Sequence, residues 1–332
     1  MAENLFDALP PSKREAKRRQ PSWAAPMTAK VSRKPFSRAG WLYERKLDGE
    51  RCLAFRNGKK VRLLSRNRKA LNGTYPELVD ALERQPCEHF IVDGEIVAFE
   101  GGRTSFGRLQ QRFGIHDPAV ARRSGIAVYY YLFDMLHLEG YDLTEVALRH
   151  RKSLLKRALS FHDPLRYNAH RAGRGEEYYE AACRKGWEGI MAKRADGPYL
   201  HSRSGEWLKF KCSNRQEFVI GGYTDPQGGR IGFGALLIGY YRGKRLIYAG
   251  KVGTGFNDAL LRDLTARLEK IERRAPAFDS GDLPSRRVHW VAPELVGEVV
   301  FTEWTSDGSL RHPSFLGLRE DKDAGEVTRE MP

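Results

Sequence analysis

From about residue 41 to residue 213, apolar and polar positions describe strands and helices in irregular alternation. Two strand-like runs, WLYERKL (41–47) and ERCLAFR (50–56), meet at Asp48-Gly49. That dipeptide favours the tight type I′ turn of a hairpin. KKVRLLSR (59–66) reads as a third strand, and HFIVDGEIVAFE (89–100) and IAVYYYLFDML (126–136) as β-rich runs. TYPELVDALER (74–84) starts a helix, with Thr74 as cap and Pro76 in the first turn. GEEYYEAACRKG (175–186) is a helix closed by Gly186, and GIMAKR (189–194) and EWLKFK (206–211) are short strands.

After about Arg215 the texture changes. EFVIGGYTD, GALLIGYYRG, KRLIYAGKVG and LVGEVVFTEWT are short strands at regular spacing, the first three joined by glycine-rich turns. Between them NDALLRDLTARLEKIERR sets Leu260, Leu264, Leu268 and Ile271 on one helical face. Five or so short strands with one helix suit a small OB-type barrel. The pattern places a boundary near residue 215, so residues 26–215 and 216–332 form two domains behind a basic tail, 1–25.

The length of 332 residues agrees with two domains, and 41% apolar residues allow a real core. No run approaches the roughly 18 apolar residues of a membrane helix, and the N-terminus carries no signal-peptide core, which points to the cytoplasm. Cys52, Cys87, Cys183 and Cys212 lie far apart, with no C-x-x-C pair and no Cys/His cluster; four reduced thiols are expected. A net charge of +15 favours polyanionic partners, nucleic acid first. The tail holds PPSKREAKRRQP, a basic run between prolines, open to three readings: a disordered arm touching DNA phosphates, a nuclear localisation signal, or a linker.

Within the Asp48-Gly49 turn region three cations crowd together: Arg45, Lys46 and Arg51. A lysine amine is nucleophilic only when neutral, and free lysine has a pKa near ~10.4. Neighbouring cations disfavour the protonated form. Arginine stays protonated and cannot take that role.

K-L-D-G-E-R (46–51) has the form K-x-D-G-x-R and resembles the nucleotidyl-lysine motif of the covalent nucleotidyltransferases, which include ATP-dependent DNA ligases, RNA ligases and capping enzymes. Further motifs follow in the family's order: Ser65-Arg66, Asp93-Gly94-Glu95, Phe133-Asp134, the E-G-I-M-A-K run from Glu188 to Lys193, and Lys209 with Lys211 in WLKFK. EWTSDGSLRHPSFLGLREDK (303–322) resembles the terminal OB motif of bacterial end-joining ligases and ends in Arg319-x-Asp321-Lys322. The resemblance covers about residues 26–322.

The resemblance implies an α+β fold, a nucleotidyltransferase (ATP-grasp-like, antiparallel sheets with helices) domain followed by an OB-fold β-barrel. Lys46 would attack the α-phosphate of ATP and carry AMP. Glu44, Arg51, Arg66, Glu95, Phe133, Ile190, Lys209, Lys211, Arg319 and Lys322 would bind the nucleotide, with Phe133 and Ile190 packing on the purine and Lys193 near the phosphates. Glu95 and Glu188 would hold Mg²⁺ or Mn²⁺. Arg319 and Lys322 would orient the leaving pyrophosphate, and the OB domain would alternate between two positions. Gly94 marks a strand that a ligand approaches closely; Lys251 matches a basic family position, and Arg311 and His312 lie in the terminal signature, with no catalytic role assigned to His312.

The implied substrate is nicked or broken double-stranded DNA, sealed in DNA repair by a monomer at the bacterial nucleoid. The phrases YERKLDGER, SFGRLQQR and LRHPSFLGLREDK look most like the ligase module of bacterial non-homologous end joining, which works with Ku. About 25 residues ahead of the core are too few for a helical DNA-binding domain. An RNA ligase or capping-type nucleotidyltransferase, and a non-catalytic basic OB protein, are the alternatives; sealing and adenylylation assays separate them.

Overall fold

Where β-branched and aromatic runs recur, the chain forms strands; a computed structural model describes residue 6 and residues 18–330. It divides into two units, residues 1–212 and 213–331. Among the described residues no helix is long and apolar enough to cross a membrane.

The first unit is built on β1 (Thr28–Val31), β2 (Trp41–Lys46), β3 (Glu50–Asn57), β4 (Lys60–Ser65), β5 (His89–Glu100), β6 (Val128–Leu138), β7 (Gly189–Arg194) and β8 (Arg203–Lys211). Sheet one runs β1-β8-β7-β2, with the short strand His170–Ala172 at its edge. Sheet two runs β4-β3-β5-β6 and continues to Tyr141–Asp142. The pairs are antiparallel except β1–β8 and the short Leu165–Tyr167 beside β6.

The expected hairpin at Asp48-Gly49 is absent. β2 pairs with β7 in one sheet, while β3 pairs with β4 and β5 in the other. Asp48-Gly49 is the crossing between sheets, and the true hairpin is β3–β4, turning at Gly58 with φ +60°. Gly49 is required for closeness, not for a left-handed turn. A Cβ there would stand 2.1 Å from the Ile96 carbonyl oxygen.

Five helices accompany these sheets: α1 (Pro76–Glu83), α2 (Phe106–Gln110), α3 (Pro118–Arg123), α4 (Leu148–Ala158) and α5 (Gly175–Arg184). The pattern anticipates α1 and α5. It misses α2 and α3, which are single turns or little more, and α4, whose basic sequence hides an apolar stripe of Leu148, Leu154 and Leu155. Thr74 does not cap α1. Tyr75 holds the cap position without a side-chain cap bond, and its hydroxyl donates to Glu50 instead. Gly186 ends α5 at φ +66°.

Two further expectations change. Cys183, in the last turn of α5, and Cys212, just after β8, form a disulfide; only Cys52 and Cys87 are free. A separation of 29 residues in sequence closes to 5.2 Å between Cα atoms because Gly189 in β7 pairs with Lys211 in β8. Residues 1–5 and 7–17 of the expected tail lie outside the described residues. Residues 18–25 are not a tail: Arg18 donates its amide to the Gly140 carbonyl, Ala24 is buried, and Trp23 packs on the core formed by Leu53, Phe55, Ile91 and Phe133.

The second unit contains β9 (Asn214–Thr224), β10 (Leu236–Arg242), β11 (Arg245–Val252), β12 (Val288–Val291), β13 (Val296–Phe301) and β14 (Ser314–Leu318), with α6 (Asp258–Glu269). β9 pairs with β13 along its first half and with β10 and β12 along its second, and β13 continues to β14. This is the OB-type barrel the spacing predicts. Asn257 caps α6, whose buried face is Leu261, Leu264 and Leu268; Leu260 and Ile271 are only partly buried against the same core.

Candidate active site

Register decides which side chains meet. Across sheet one, Lys46, Gly189 and Lys211 form one row. Glu44, Met191 and Lys209 form the next, and Leu42, Lys193 and Trp207 the third. Directly opposed residues share a face and alternate residues repeat it. Lys46, Glu44, Met191, Lys193, Lys209 and Lys211 therefore lie on one face. Ile190 lies on the other, fully buried with Tyr43, Ala182, Ala192 and Phe210. The expected contact between Ile190 and a purine is thereby overturned, and Met191 takes the place beside Lys46.

Sheet two supplies the facing side chains. Arg51 pairs across with Glu95, and Asp93 with Asp134. A bulge leaves Phe133 without a partner position between Leu132 and Asp134. The Arg51 guanidinium donates to both Asp93 oxygens at 2.5 Å and to the Met27 carbonyl at 3.1 Å. Burial opposes its charge, yet Asp93 holds its pKa above the ordinary value. Tyr199 also donates to Asp93, at 2.6 Å. Gly94 points to the opposite side, where a Cβ would meet the Tyr131 carbonyl and the Tyr130 ring. Its smallness serves the core, not the ligand approach expected for it.

Phe133 is 7% exposed. Arg51 lies 4.7 Å and Lys193 4.1 Å from its ring centroid, with Trp207 edge-on at 6.0 Å. A purine stacking on this ring would displace one of the cations. Lys193, expected near the phosphates, stands in the row two along from that of Lys46. Its ammonium is buried against Glu44 Oε2 at 2.8 Å, while Lys152 takes Glu44 Oε1 at 2.6 Å. Asn168 donates to the same carboxylate at 3.2 Å, and Lys152 also reaches the Phe133 and Asn168 carbonyls. Burial disfavours the Glu44 carboxylate, but the two ammoniums hold its pKa below the usual range; burial lowers that of Lys193.

Lys46 sits at the end of β2, its Nζ 2.5 Å from Glu188 Oε1. Burial disfavours its charge, yet the Glu188 carboxylate, with Glu95 and Asp48 behind it, outweighs burial and leaves the pKa raised. The expected crowd of cations is not what surrounds the amine. Arg51 is turned to Asp93, and Arg45 projects from the other face of β2 over the Trp187 ring at 4.5 Å. The carboxylates therefore favour the protonated amine.

The carboxylates that act on Lys46, those of Glu188, Glu95 and Asp48, are oxygen donors of the kind that suits Mg²⁺ or Mn²⁺. Among the described residues no three Asp, Glu, His or Cys side chains stand together as a complete metal cage. A site on Glu188 and Glu95 would leave other positions to water and phosphate oxygens, as magnesium prefers. Arg66 is half-buried just beyond β4. Lys209 and Lys211 are half-buried on β8, pointing the same way.

In the second unit, Arg319 donates to both Asp321 oxygens at 2.9 Å and to Glu298 at 3.3 Å. Lys322 pairs with Glu217 at 3.3 Å. Lys251 is exposed on β11, and Arg311 pairs with Glu303 at 2.8 Å. His312 has a left-handed backbone, φ 49°.

Sequence reasoning missed Met191, Lys152, Asn168, Trp207 and Tyr199. Period two from Lys209 points to Trp207, and from Lys193 to Met191. Nothing marks Lys152 within the basic helix α4.

Known proteins resemble the chain throughout. Residues 24–211 match the family described as ATP dependent DNA ligase domain, and residues 229–322 the ATP dependent DNA ligase C terminal region. The multifunctional non-homologous end joining protein LigD of Pseudomonas aeruginosa is 39% identical over 98% of this chain and 40% of its own length. The LigD of Mycolicibacterium smegmatis is 37% identical over 96% of this chain and 41% of its own. The chain thus spans about two fifths of these relatives. A solved structure of mycobacterial DNA ligase D complexed with ATP and MES is 33% identical, covers 92% of this chain and 98% of that one, and superposes with a TM-score of 0.67.

Proposed function

The chain belongs to the ATP-dependent DNA ligase family, and we propose that it seals breaks in double-stranded DNA through AMP carried on Lys46, as the ligase step of end-joining repair. The observation that carries this reading is the row of Lys46, Gly189 and Lys211, with Glu188 against the amine. A nucleophile and a cation for phosphate oxygens stand on strands of one sheet, with a carboxylate for a metal just ahead of the strand between them. Phosphoryl transfer asks mostly for such positioning and charge neutralisation.

Bound at Glu188 and Glu95, Mg²⁺ or Mn²⁺ would supply the positive charge that those carboxylates otherwise take from Lys46. The amine then gives up its proton and its lone pair forms a bond to the α-phosphorus as pyrophosphate leaves. Lys211 and Lys209 hold the non-bridging oxygens. Met191 covers the base, and Arg51, fixed by Asp93, faces the sugar and phosphates. The AMP passes to a DNA 5′-phosphate, and a 3′-hydroxyl displaces it. Arg319 and Lys322 act on the leaving pyrophosphate. Ku is the partner this role implies, and the nucleoid the place.

Incubation with labelled ATP and Mg²⁺, followed by denaturing electrophoresis, tests the premise. A covalent AMP adduct is expected in the wild-type chain and absent in Lys46→Ala. A wild-type chain that takes up no label, after pyrophosphate treatment to clear the lysine, would sink the reading. Sealing of nicked DNA with and without Ku tests the repair role.

A further inference from the structure

Two carboxylates on adjacent strands face each other in the second unit: Glu217 on β9 and Glu298 on β13 are direct cross-strand partners. Like charges directly opposed destabilise a sheet unless a cation joins them. Arg319 is that cation, with its Nη1 3.3 Å from Glu298 Oε2 and 3.9 Å from Glu217 Oε1. Its remaining fork is committed to Asp321. Lys322 completes the group at 3.3 Å from the same Glu217 oxygen, and Arg215 stands 3.5 Å from Glu298.

The two acids differ in depth. The Glu298 side chain is 5% exposed and shared with Arg215, so it belongs to the barrel. The Glu217 side chain is 19% exposed and touches both Arg319 and Lys322. Glu217, Glu298 and Asp321 share Arg319, Lys322 and Arg215, so a polyphosphate must compete with carboxylates for these cations.

We propose that Glu217 is a placeholder for pyrophosphate: a positioning residue whose carboxylate occupies Arg319 and Lys322 when no polyphosphate does. The inference rests on the ligase reading, in which those two cations act on the leaving group. Its consequence runs in one direction. When Arg319 turns to a polyphosphate, Glu217 and Glu298 are left opposed with Arg215 on Glu298 alone, and their repulsion draws the guanidinium back. Release of pyrophosphate is thereby favoured, and the cations are returned before DNA is engaged.

The reverse of the first step reads this directly. An oxygen of inorganic pyrophosphate attacks the phosphorus of Lys46-bound AMP. A P–O bond forms, the P–N bond breaks, the amine regains a proton and ATP departs. The full chain, adenylylated beforehand, is titrated with pyrophosphate and Mg²⁺, and loss of AMP is followed by intact mass. In Glu217→Gln the half-saturating pyrophosphate concentration should fall about fivefold, the effect of removing one partly exposed ionic competitor. The maximal rate should not rise. Glu217→Asp, whose shorter arm withdraws the charge from Lys322, should shift the same way by less, and it keeps the test alive if the glutamine variant folds poorly. A merely structural role predicts the opposite, a higher half-saturating concentration as the arm loses its placement; that result, or no change, overturns the proposal. A wild-type chain that never carries AMP would instead refute the ligase reading and leave Glu217 without a reaction to serve.

Discussion

The amine of Lys46, at the end of β2, and the carboxylate of Glu188, just ahead of β7, lie 2.5 Å apart. The contact favours the protonated amine. The raised pKa means that the ion pair is present at neutral pH and is lost only as pH climbs above the ordinary lysine value of ~10.4. Glu188→Gln removes the group most responsible for the increase. In metal-free enzyme, an amine-reactive reagent should therefore modify Lys46 faster in this variant than in wild type between roughly pH 8 and 10. Added Mg²⁺ should accelerate modification in wild type but not in the variant, while self-adenylylation of the variant falls. Peptide mass mapping of the labelled lysine measures this; equal labelling of both proteins would show that Glu188 does not hold the proton.

Met191 and Ile190 are neighbours with opposite duties. Met191→Ala should raise the KM for ATP in self-adenylylation with little change in melting temperature. Ile190→Ala should cost about 2–5 kcal/mol of stability, the usual cost of emptying a buried aliphatic site, and leave the KM of the folded protein alone. Urea unfolding and initial adenylylation rates on both variants decide it. An Ile190→Ala chain with wild-type stability and a raised KM would reverse the assignment of faces.

The buried group of Glu44, Lys152 and Lys193 holds two ammoniums against one carboxylate. Removing the carboxylate and removing one ammonium should then have unequal costs. Glu44→Gln leaves both charges uncompensated and should destabilise by about 3–5 kcal/mol. Lys152→Met leaves a matched pair and should cost less. The depressed pKa of Glu44 gives the pH sign: its contribution is full above the unfolded value of ~4.3 and lost as pH falls through the lower folded one. The gap between wild type and Glu44→Gln, measured by urea titration, should shrink below about pH 4.

Thiol chemistry checks the link between α5 and β8. Protein purified without reductant and denatured should titrate two thiols, Cys52 and Cys87, and four after reduction. Four thiols before reduction would return the cysteines to the state their spacing suggests.

Much of the site was legible in the chain because its motifs are local. Lys46, Lys209 and Lys211 stand on short strands whose alternation fixes their face, and Glu188 directly precedes β7. What failed was non-local. The Asp48-Gly49 dipeptide carries the composition of a hairpin, and nothing near it says that the next strand joins another sheet. The contacts with Ile96 and Val97, nearly fifty residues along, dictate the small residue. Ile190 was misplaced because a motif gives residue order and not strand face; counting in twos from Lys211 through its partner Gly189 corrects it. Lys152 and the cysteine pair depend wholly on tertiary approach.

Because the residues from Lys46 to Arg51 leave one sheet and enter the other, a six-residue peptide works as a tether between opposing walls. Its span admits no slack: a residue added or removed there would turn the lysine to the far side of its strand or carry Arg51 away from Asp93. Tolerance to insertion should therefore be lowest at this short segment and far higher at the Gly58 hairpin nearby, although both look like ordinary surface turns when read as text.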